Sequence, residues 1–165
     1  MQNCKILGPK YQGGRWYIGD NQLTSLEGSP NHITGDFECR FNLLTSLVGG
    51  PQHVDEDYNC TFNRLTDLVG CASHIGDRMI FDNNKITSLI GIHKIIKSCT
   101  NMVFDDNKII EGGIGLLLIK NLTWISSEYS EPLSTIKSYL GSGTKGMMAC
   151  SKELISKGYD NYAKL

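Results

Sequence analysis

The chain has 165 residues, of which 40% are hydrophobic and 20% charged, and its formal net charge is -1. This composition predicts one soluble globular domain and excludes a disordered chain. The near-neutral charge argues against a dedicated nucleic-acid binder, because such proteins usually carry a basic surplus. The longest apolar stretch, residues 114–119, is too short to span a bilayer, and the first residues lack the apolar run of a signal peptide. We therefore predict a cytoplasmic protein that binds neither nucleic acid nor a membrane.

An internal repeat begins after residues 1–15, which we interpret as an N-terminal cap. Asparagines recur at spacings of 21, 21, 21 and 23 residues, each within an eight-residue segment of the same pattern. They are Asn21, Asn42, Asn63, Asn84 and Asn107. Five copies at one period predict a solenoid over residues 16–111, because one unit of this size cannot bury its own apolar face.

Each copy alternates apolar and polar residues, which predicts a short strand with side chains pointing alternately inward and outward. The first inward ladder consists of Trp16, Phe37, Tyr58, Met79 and Met102. The second consists of Ile18, Cys39, Cys60, Phe81 and Phe104. The repeated asparagines are expected to turn the chain and to bond backbone groups of adjacent coils. Since no export signal is visible, we expect all six cysteines to be reduced thiols.

A phrase after each of the first strands points to a family. Leu23-Thr24-Ser25-Leu26-Glu27-Gly28-Ser29-Pro30, together with the L-x-L-x-x-N-x-L pattern, resembles the short leucine-rich repeats of bacterial and tailed-bacteriophage proteins. The resemblance implies an α/β-type repeat solenoid, a right-handed coil with short parallel strands. It also implies a phage accessory protein that engages a host protein in the host cytoplasm. Ile33, Val54 and Ile75 lie one residue farther from each strand than the family pattern has them, so we expect an irregular convex side with little helix.

The repeat stops near residue 111, and residues 112–165 are predicted to form a helical C-terminal cap, because a solenoid needs its ends covered. Residues 115–119 are apolar and predict either a final strand or a cap element. Pro132 suits the first turn of a helix that ends before Gly141. A second helix is expected over residues 145–157.

The outward face of the parallel sheet is the first candidate site, because leucine-rich-repeat proteins typically bind there. Its positions carry seven acidic and three basic residues among aromatic and aliphatic ones, which favours a basic protein partner. The alternative is a solvated face with its two phenylalanines tucked into the turns. The predicted binding residues are Tyr17, Asp36, Glu38, Arg40, Phe41, Asn59, Phe62, Ile80, Asp82, Val103 and Asp105.

Two other functions remain open. A small-ligand protein or sponge for a nucleotide-type signal would need a pocket near the cap, where Lys120, Lys137, Lys145 and Lys152 lie. A hydrolase would use the aspartate cluster Asp82, Asp105 and Asp106, which could instead hold Ca²⁺ or Mg²⁺. No catalytic motif is recognised, so we predict no catalytic residue and no cofactor. An exposed sheet edge leaves a homo-oligomer open.

Histidines also recur at the repeat period and could bind a metal or act as bases. The more economical interpretation is structural, because repetition alone accounts for them and no supporting partner can be named. They are His32, His53 and His74, with His93 in the equivalent region of the fourth copy. The glycine-rich residues 141–146 lack the spacing of a phosphate-binding loop and predict a turn between helices.

Overall fold

A computed structural model describes residues 11–126 and 130–165 as a solenoid of about five turns built on parallel strands. This confirms the predicted repeat solenoid. Its main sheet has six parallel strands, which lie side by side in the order in which they occur along the chain. They are β1 (Trp16–Tyr17), β3 (Phe37–Glu38), β5 (Tyr58–Asn59), β7 (Arg78–Ile80), β9 (Asn101–Val103) and β11 (Trp124–Ile125). The even-numbered strands belong to two smaller sheets.

The segment that precedes each main strand is more regular than the sequence predicts. These segments form a three-stranded parallel sheet of β2 (His32–Ile33), β4 (His53–Val54) and β6 (His74–Ile75). Each of these strands begins with an exposed histidine and continues with a buried aliphatic residue. A separate pair joins β8 (Ser88–Leu89) to β10 (Glu111–Gly112), and the short helix α1 (Ile92–Ile95) occupies the insertion in the fourth copy.

The core consists of inward ladders that run from coil to coil. Register pairs Phe37 with Tyr58 and Tyr58 with Met79, and all three side chains are fully buried. The ring centroids of Trp16 and Phe37 lie 5.5 Å apart, and those of Phe37 and Tyr58 lie 4.9 Å apart. Such aromatic pairs add about 0.5–1.5 kcal/mol each beyond the burial of their area.

The repeated asparagines join each coil to the one before it. The Nδ2 amide of Asn42 donates to the carbonyl oxygens of Ile18 and Cys39, each at 2.9 Å. Its Oδ1 accepts a bond from the backbone N–H of Leu23 at 2.8 Å. One buried amide therefore satisfies three backbone groups that the turn leaves without partners.

The main sheet extends beyond the predicted end of the repeats. Strand β11 pairs Ile125 with Met102, although no asparagine phrase follows it. Residues 115–119 contribute to a 3₁₀ helix, Ile114–Leu118, rather than to a strand. Two helices follow, α2 (Glu131–Lys137) and α3 (Gly143–Ser156). The side chain of Ser130 caps α2 by accepting a bond from the Leu133 N–H.

The expectation of reduced thiols is wrong for one pair. Cys39 and Cys60 form a disulfide, because the 21-residue period places them in one ladder with a Cα–Cα distance of 5.0 Å. Cys71, Cys99 and Cys150 are buried free thiols. Cys4 and most of the predicted N-terminal cap lie outside the described residues. Within residues 11–126 and 130–165, no helix is both long and apolar enough to cross a membrane.

Candidate functional site

The outward face is formed by the side chains that alternate with the inward ladders. Register aligns five of the predicted residues in one row across the main sheet, with widely different exposure. Tyr17 is 44% exposed, whereas Glu38 is 8% exposed. The row consists of Tyr17, Glu38, Asn59, Ile80 and Val103, the last three of them half-buried.

Glu38 is shielded because two arginines cover it. Arg15 Nη2 donates to Glu38 Oε1 at 2.9 Å, and Arg40 Nε lies 3.7 Å from Glu38 Oε2. Both guanidinium groups also lie against the Tyr17 ring, with centroid distances of 5.9 and 5.7 Å. The Glu38 carboxylate is therefore the counter-ion of two arginines, and its predicted binding role stays a prediction.

Arg78 is also neutralised within the face. Its Nε donates to both carboxylate oxygens of Asp57, at 3.1 and 3.0 Å. This pairing raises the pKa of Arg78 above its usual value. Asp36 is engaged as well, since its Oδ1 accepts the backbone N–H of Asp57 at 3.2 Å. The three basic residues of the outward face are thus paired with acidic residues of the same face.

Phe41 and Phe62 form a parallel stack at the end of the face where the strands turn. Their ring centroids lie 4.7 Å apart with an interplanar angle of 10°. The side chains are 47% and 46% exposed, so half of each ring faces solvent. We call this pair the phenylalanine stack.

The backbone of the phenylalanine stack is in an unusual conformation. Phe41 has φ 52° and Phe62 has φ 54°, in the left-handed region that disfavours bulky side chains. The same column in the other coils holds Asp20, Asn83 and Asp106, also at positive φ. Aspartate and asparagine tolerate this region, whereas another residue is destabilising by about 1–3 kcal/mol there.

An acidic group lies beside the stack in the next coils. The backbone N–H of Phe62 donates to the Asp82 carbonyl at 3.1 Å, and Asp82 Oδ1 accepts the Asp105 N–H at 2.9 Å. The pKa of Asp82 is raised to about 6, chiefly by burial and also by the charges of Asp105 and Asp106, while the hydrogen bond from the Asp105 N–H acts in the opposite direction. Among the described residues, the Asp82 carboxylate accepts a hydrogen bond only from this backbone amide.

Replacing Asp82 with asparagine is expected to stabilise the protein by about 1–2 kcal/mol at pH 8, a figure reduced for the solvent screening of a half-exposed carboxyl. The pKa of Asp82 is about 6 in the folded state against an ordinary 3.8, so the folded state binds more protons between these values. The contribution of Asp82 to the free energy of unfolding is therefore fully present below pH 3.8 and is lost as the pH rises through 6, where the carboxyl ionises in the folded protein. Asparagine keeps the acceptor for the Asp105 N–H and does not ionise.

Urea unfolding of the Asp82→Asn variant and the wild type at a series of pH values measures this effect. The gain should be small at pH 4 and grow up to pH 8. Exposed Glu27, changed to glutamine, serves as the control with no such trend. A gain for Asp82→Asn that stays constant with pH would contradict the assignment.

A cavity of about 320 Å³ lies between the last coils and α2. Its wall includes Asp105, Asp106 and Glu131, together with two tyrosines, and the Tyr159 hydroxyl donates to Glu131 Oε2 at 2.7 Å. The described residues that line it include no lysine or arginine. The cavity lies in the region where the sequence predicts a pocket for a nucleotide-type ligand. Its acidic lining, however, disfavours the phosphates of a nucleotide.

Sequence reasoning missed one residue of the outward face. Trp124 is 41% exposed at the end of the main sheet, and Lys137 Nζ lies 4.3 Å from its ring centroid. Its strand pairs with β9 in register, so Trp124 aligns with Asn101. In the sequence, only the apolar pair Trp124–Ile125 could have indicated this strand, because the repeat phrase that marks the other strands does not follow it.

Comparisons with known proteins do not indicate a function for this chain. No protein-family model matches the chain. No curated protein and no solved structure shows significant similarity to it. The leucine-rich-repeat resemblance therefore rests on the repeated residues, and the function must be argued from the geometry of the outward face.

Proposed function

We propose that this chain is a leucine-rich-repeat solenoid with a helical C-terminal cap that acts as a non-enzymatic protein-interaction module, of the kind a phage uses to engage a host protein. The phenylalanine stack is the single observation that carries this proposal. Phe41 and Phe62 are strained and only half-buried, so the folded chain alone does not account for them.

The free energy of the stack supports a binding role. Two phenylalanines in the left-handed region are destabilising by about 1–3 kcal/mol each, and their mutual stacking recovers about 0.5–1.5 kcal/mol. Asparagine, which stands at this column in the fourth copy as Asn83, would fold with less strain. A partner that covers the exposed half of both rings supplies the missing stabilisation, as buried aromatic residues do at interface hot spots.

The charges around the stack indicate the chemistry of the partner. The face's three arginines are already paired with Glu38 and Asp57. In the part of the chain that the structure describes, Asp82, Asp105 and Asp106 form no ion pair. A protein segment with an apolar anchor flanked by lysines or arginines fits this surface.

The double variant Phe41→Asn/Phe62→Asn tests the proposal. We expect it to weaken partner binding by about 30-fold or more, the equivalent of a hot-spot loss of about 2 kcal/mol. Its melting temperature should equal or exceed that of the wild type, because strain is relieved. Capture of the partner from host lysate identifies it, and titration with the purified partner measures Kd for both proteins.

Val48→Thr/Val69→Thr is the matched control, because these valines also lie exposed on adjacent coils, at 61% and 55%, outside the stack. It should retain wild-type affinity. Raised salt should weaken the wild-type complex if basic groups of the partner face the aspartates. A partner that binds the double variant as tightly as the wild type would overturn the proposal.

The cavity beside α2 favours a second candidate, a binding protein for a small ammonium compound. Asp105, Asp106 and Glu131 supply negative charge, and Tyr159 and Tyr162 supply aromatic surface, which together suit an organic cation. The same capture experiment separates the two candidates. An amine retained equally by the wild type and the phenylalanine double variant, with no protein partner, would favour this second function.

A further inference from the structure

Three side chains at the sheet of β2, β4 and β6 converge on one point. His32 and His53 are aligned in register as the first residues of β2 and β4. Asp55 follows β4 directly, and strand alternation places it on the same exposed side as His53. The three side chains are 50%, 48% and 40% exposed, so solvent reaches the whole cluster.

The distances within this cluster are short. Asp55 Oδ1 lies 2.8 Å from His32 Nε2 and 3.2 Å from His53 Nε2. The two imidazole rings are 4.8 Å apart between centroids and are inclined by 71°. One donor atom from each residue lies within 4.8 Å of the other two. A small ion can therefore contact all three side chains at once.

We propose that His32, His53 and Asp55 form a binding site for a divalent transition-metal ion, with Zn²⁺ as the ion that fits best. Imidazole nitrogen and carboxylate oxygen bind Zn²⁺ at about 2.0–2.2 Å, so donors in a tetrahedral site lie about 3.3 Å apart. The two contacts of Asp55 Oδ1, at 2.8 and 3.2 Å, are close to this separation, and one donor atom of each residue lies within 4.8 Å of the other two. Two nitrogens and one oxygen leave a fourth position open for water.

The carboxylate distinguishes this cluster from the periodic histidine column as such. His74 occupies the same column in the next coil and stacks on His53 at a centroid distance of 5.4 Å. However, Gly76 stands where Asp55 stands in the coil before, and the Nδ1 of His74 lies 2.9 Å from the Ser73 hydroxyl. Repetition accounts for three histidines in a row, but it does not account for one carboxylate placed between two of them.

The donor set also selects the class of ion. Hard cations such as Mg²⁺ and Ca²⁺ prefer six or more oxygen ligands, and this cluster offers one carboxylate. Imidazole favours Zn²⁺, Cu²⁺ and Ni²⁺. A site with three exposed ligands and an open position is accessible from solvent and binds its ion reversibly.

Isothermal titration of the chelator-stripped protein with ZnCl₂ tests the proposal, and a titration with Co²⁺ reports the coordination geometry through its visible spectrum. We expect one Zn²⁺ per chain, and the absorption of a four-coordinate Co²⁺ complex. Asp55→Asn and His53→Ala should each weaken binding by at least about tenfold. Both residues are exposed, so the variants are expected to fold, and a melting curve checks this.

His74→Ala is the matched control, since this histidine has the same column and exposure but lies outside the cluster. It should bind Zn²⁺ as the wild type does. If cysteines bound the Zn²⁺, the wild type and all the variants would bind it equally, and the Asp55→Asn substitution would not weaken binding. MgCl₂ should give no heat of binding.

Two results would overturn the proposal: no Zn²⁺ binding to the folded wild type, or binding that Asp55→Asn and His53→Ala leave unchanged. The site shares no residue with the phenylalanine stack and belongs to a different sheet. Zn²⁺ affinity should therefore be unchanged in Phe41→Asn/Phe62→Asn, and the proposal is independent of the proposed interaction function.

Discussion

Replacing Gly70 with alanine is expected to lower the free energy of unfolding by more than about 4 kcal/mol. Gly70 has φ +86°, and a Cβ built on it would lie 2.4 Å from the backbone nitrogen of Val48 and 2.6 Å from the carbonyl carbon of Leu47. Carbon contacts are favourable near 3.5–4.0 Å, so these atoms would repel strongly. Backbone in a close-packed solenoid relieves such a clash only by separating two coils, which also disturbs the ladders between them.

Gly28→Ala is the control for this prediction, because Gly28 holds the same place in the first copy, with φ +97°, and a Cβ there meets nothing within 4 Å. It isolates the strain of positive φ, which is about 1–2 kcal/mol. Urea unfolding of both variants measures the difference. Equal losses for the two would show that the approach between coils contributes nothing, and would contradict the tight stacking described above.

The sequence predicted the solenoid because its period and residue classes repeat together. A residue such as Phe37 has equivalents 21 residues on either side, in Trp16 and Tyr58, and the structure pairs all three in register. The strand β11 could not be predicted in the same way. Trp124 and Ile125 have no asparagine phrase behind them, so only pairing with β9 identifies them as a strand.

The candidate sites were less predictable than the fold, because they depend on contacts between coils. Alternation places Glu38 on the outward face, but it does not reveal that Arg15 and Arg40 cover it. The spacing of His32 and His53 was visible, whereas the position of Asp55 between them follows from register and side-chain rotation. Periodicity thus predicts which column a residue occupies, and contacts with neighbouring columns decide whether it is available.

Removal of the Asn63 amide is expected to be the second-largest effect, with a loss of about 3 kcal/mol for Asn63→Ala. Asn63 is 7% exposed, and its Nδ2 donates to the carbonyl oxygens of Cys39 and Cys60, each at 3.1 Å. Its Oδ1 accepts the Leu44 N–H at 3.0 Å. Alanine leaves these three backbone groups without their side-chain partner, and each buried group without a partner costs about 1–3 kcal/mol.

Asn21→Ala is the control for this prediction, because it removes an asparagine whose side chain does not join two coils. Asn21 is exposed at the first coil, and its Nδ2 donates to the Gly19 carbonyl of its own turn. Since water can replace that bond, the expected loss is below about 1 kcal/mol. Unfolding in urea, followed by circular dichroism, gives both values. A loss for Asn63→Ala as small as that for Asn21→Ala would mean that water reaches the turn of the third coil. The asparagine ladder would then define the register of the coils without contributing to the stability that holds them together.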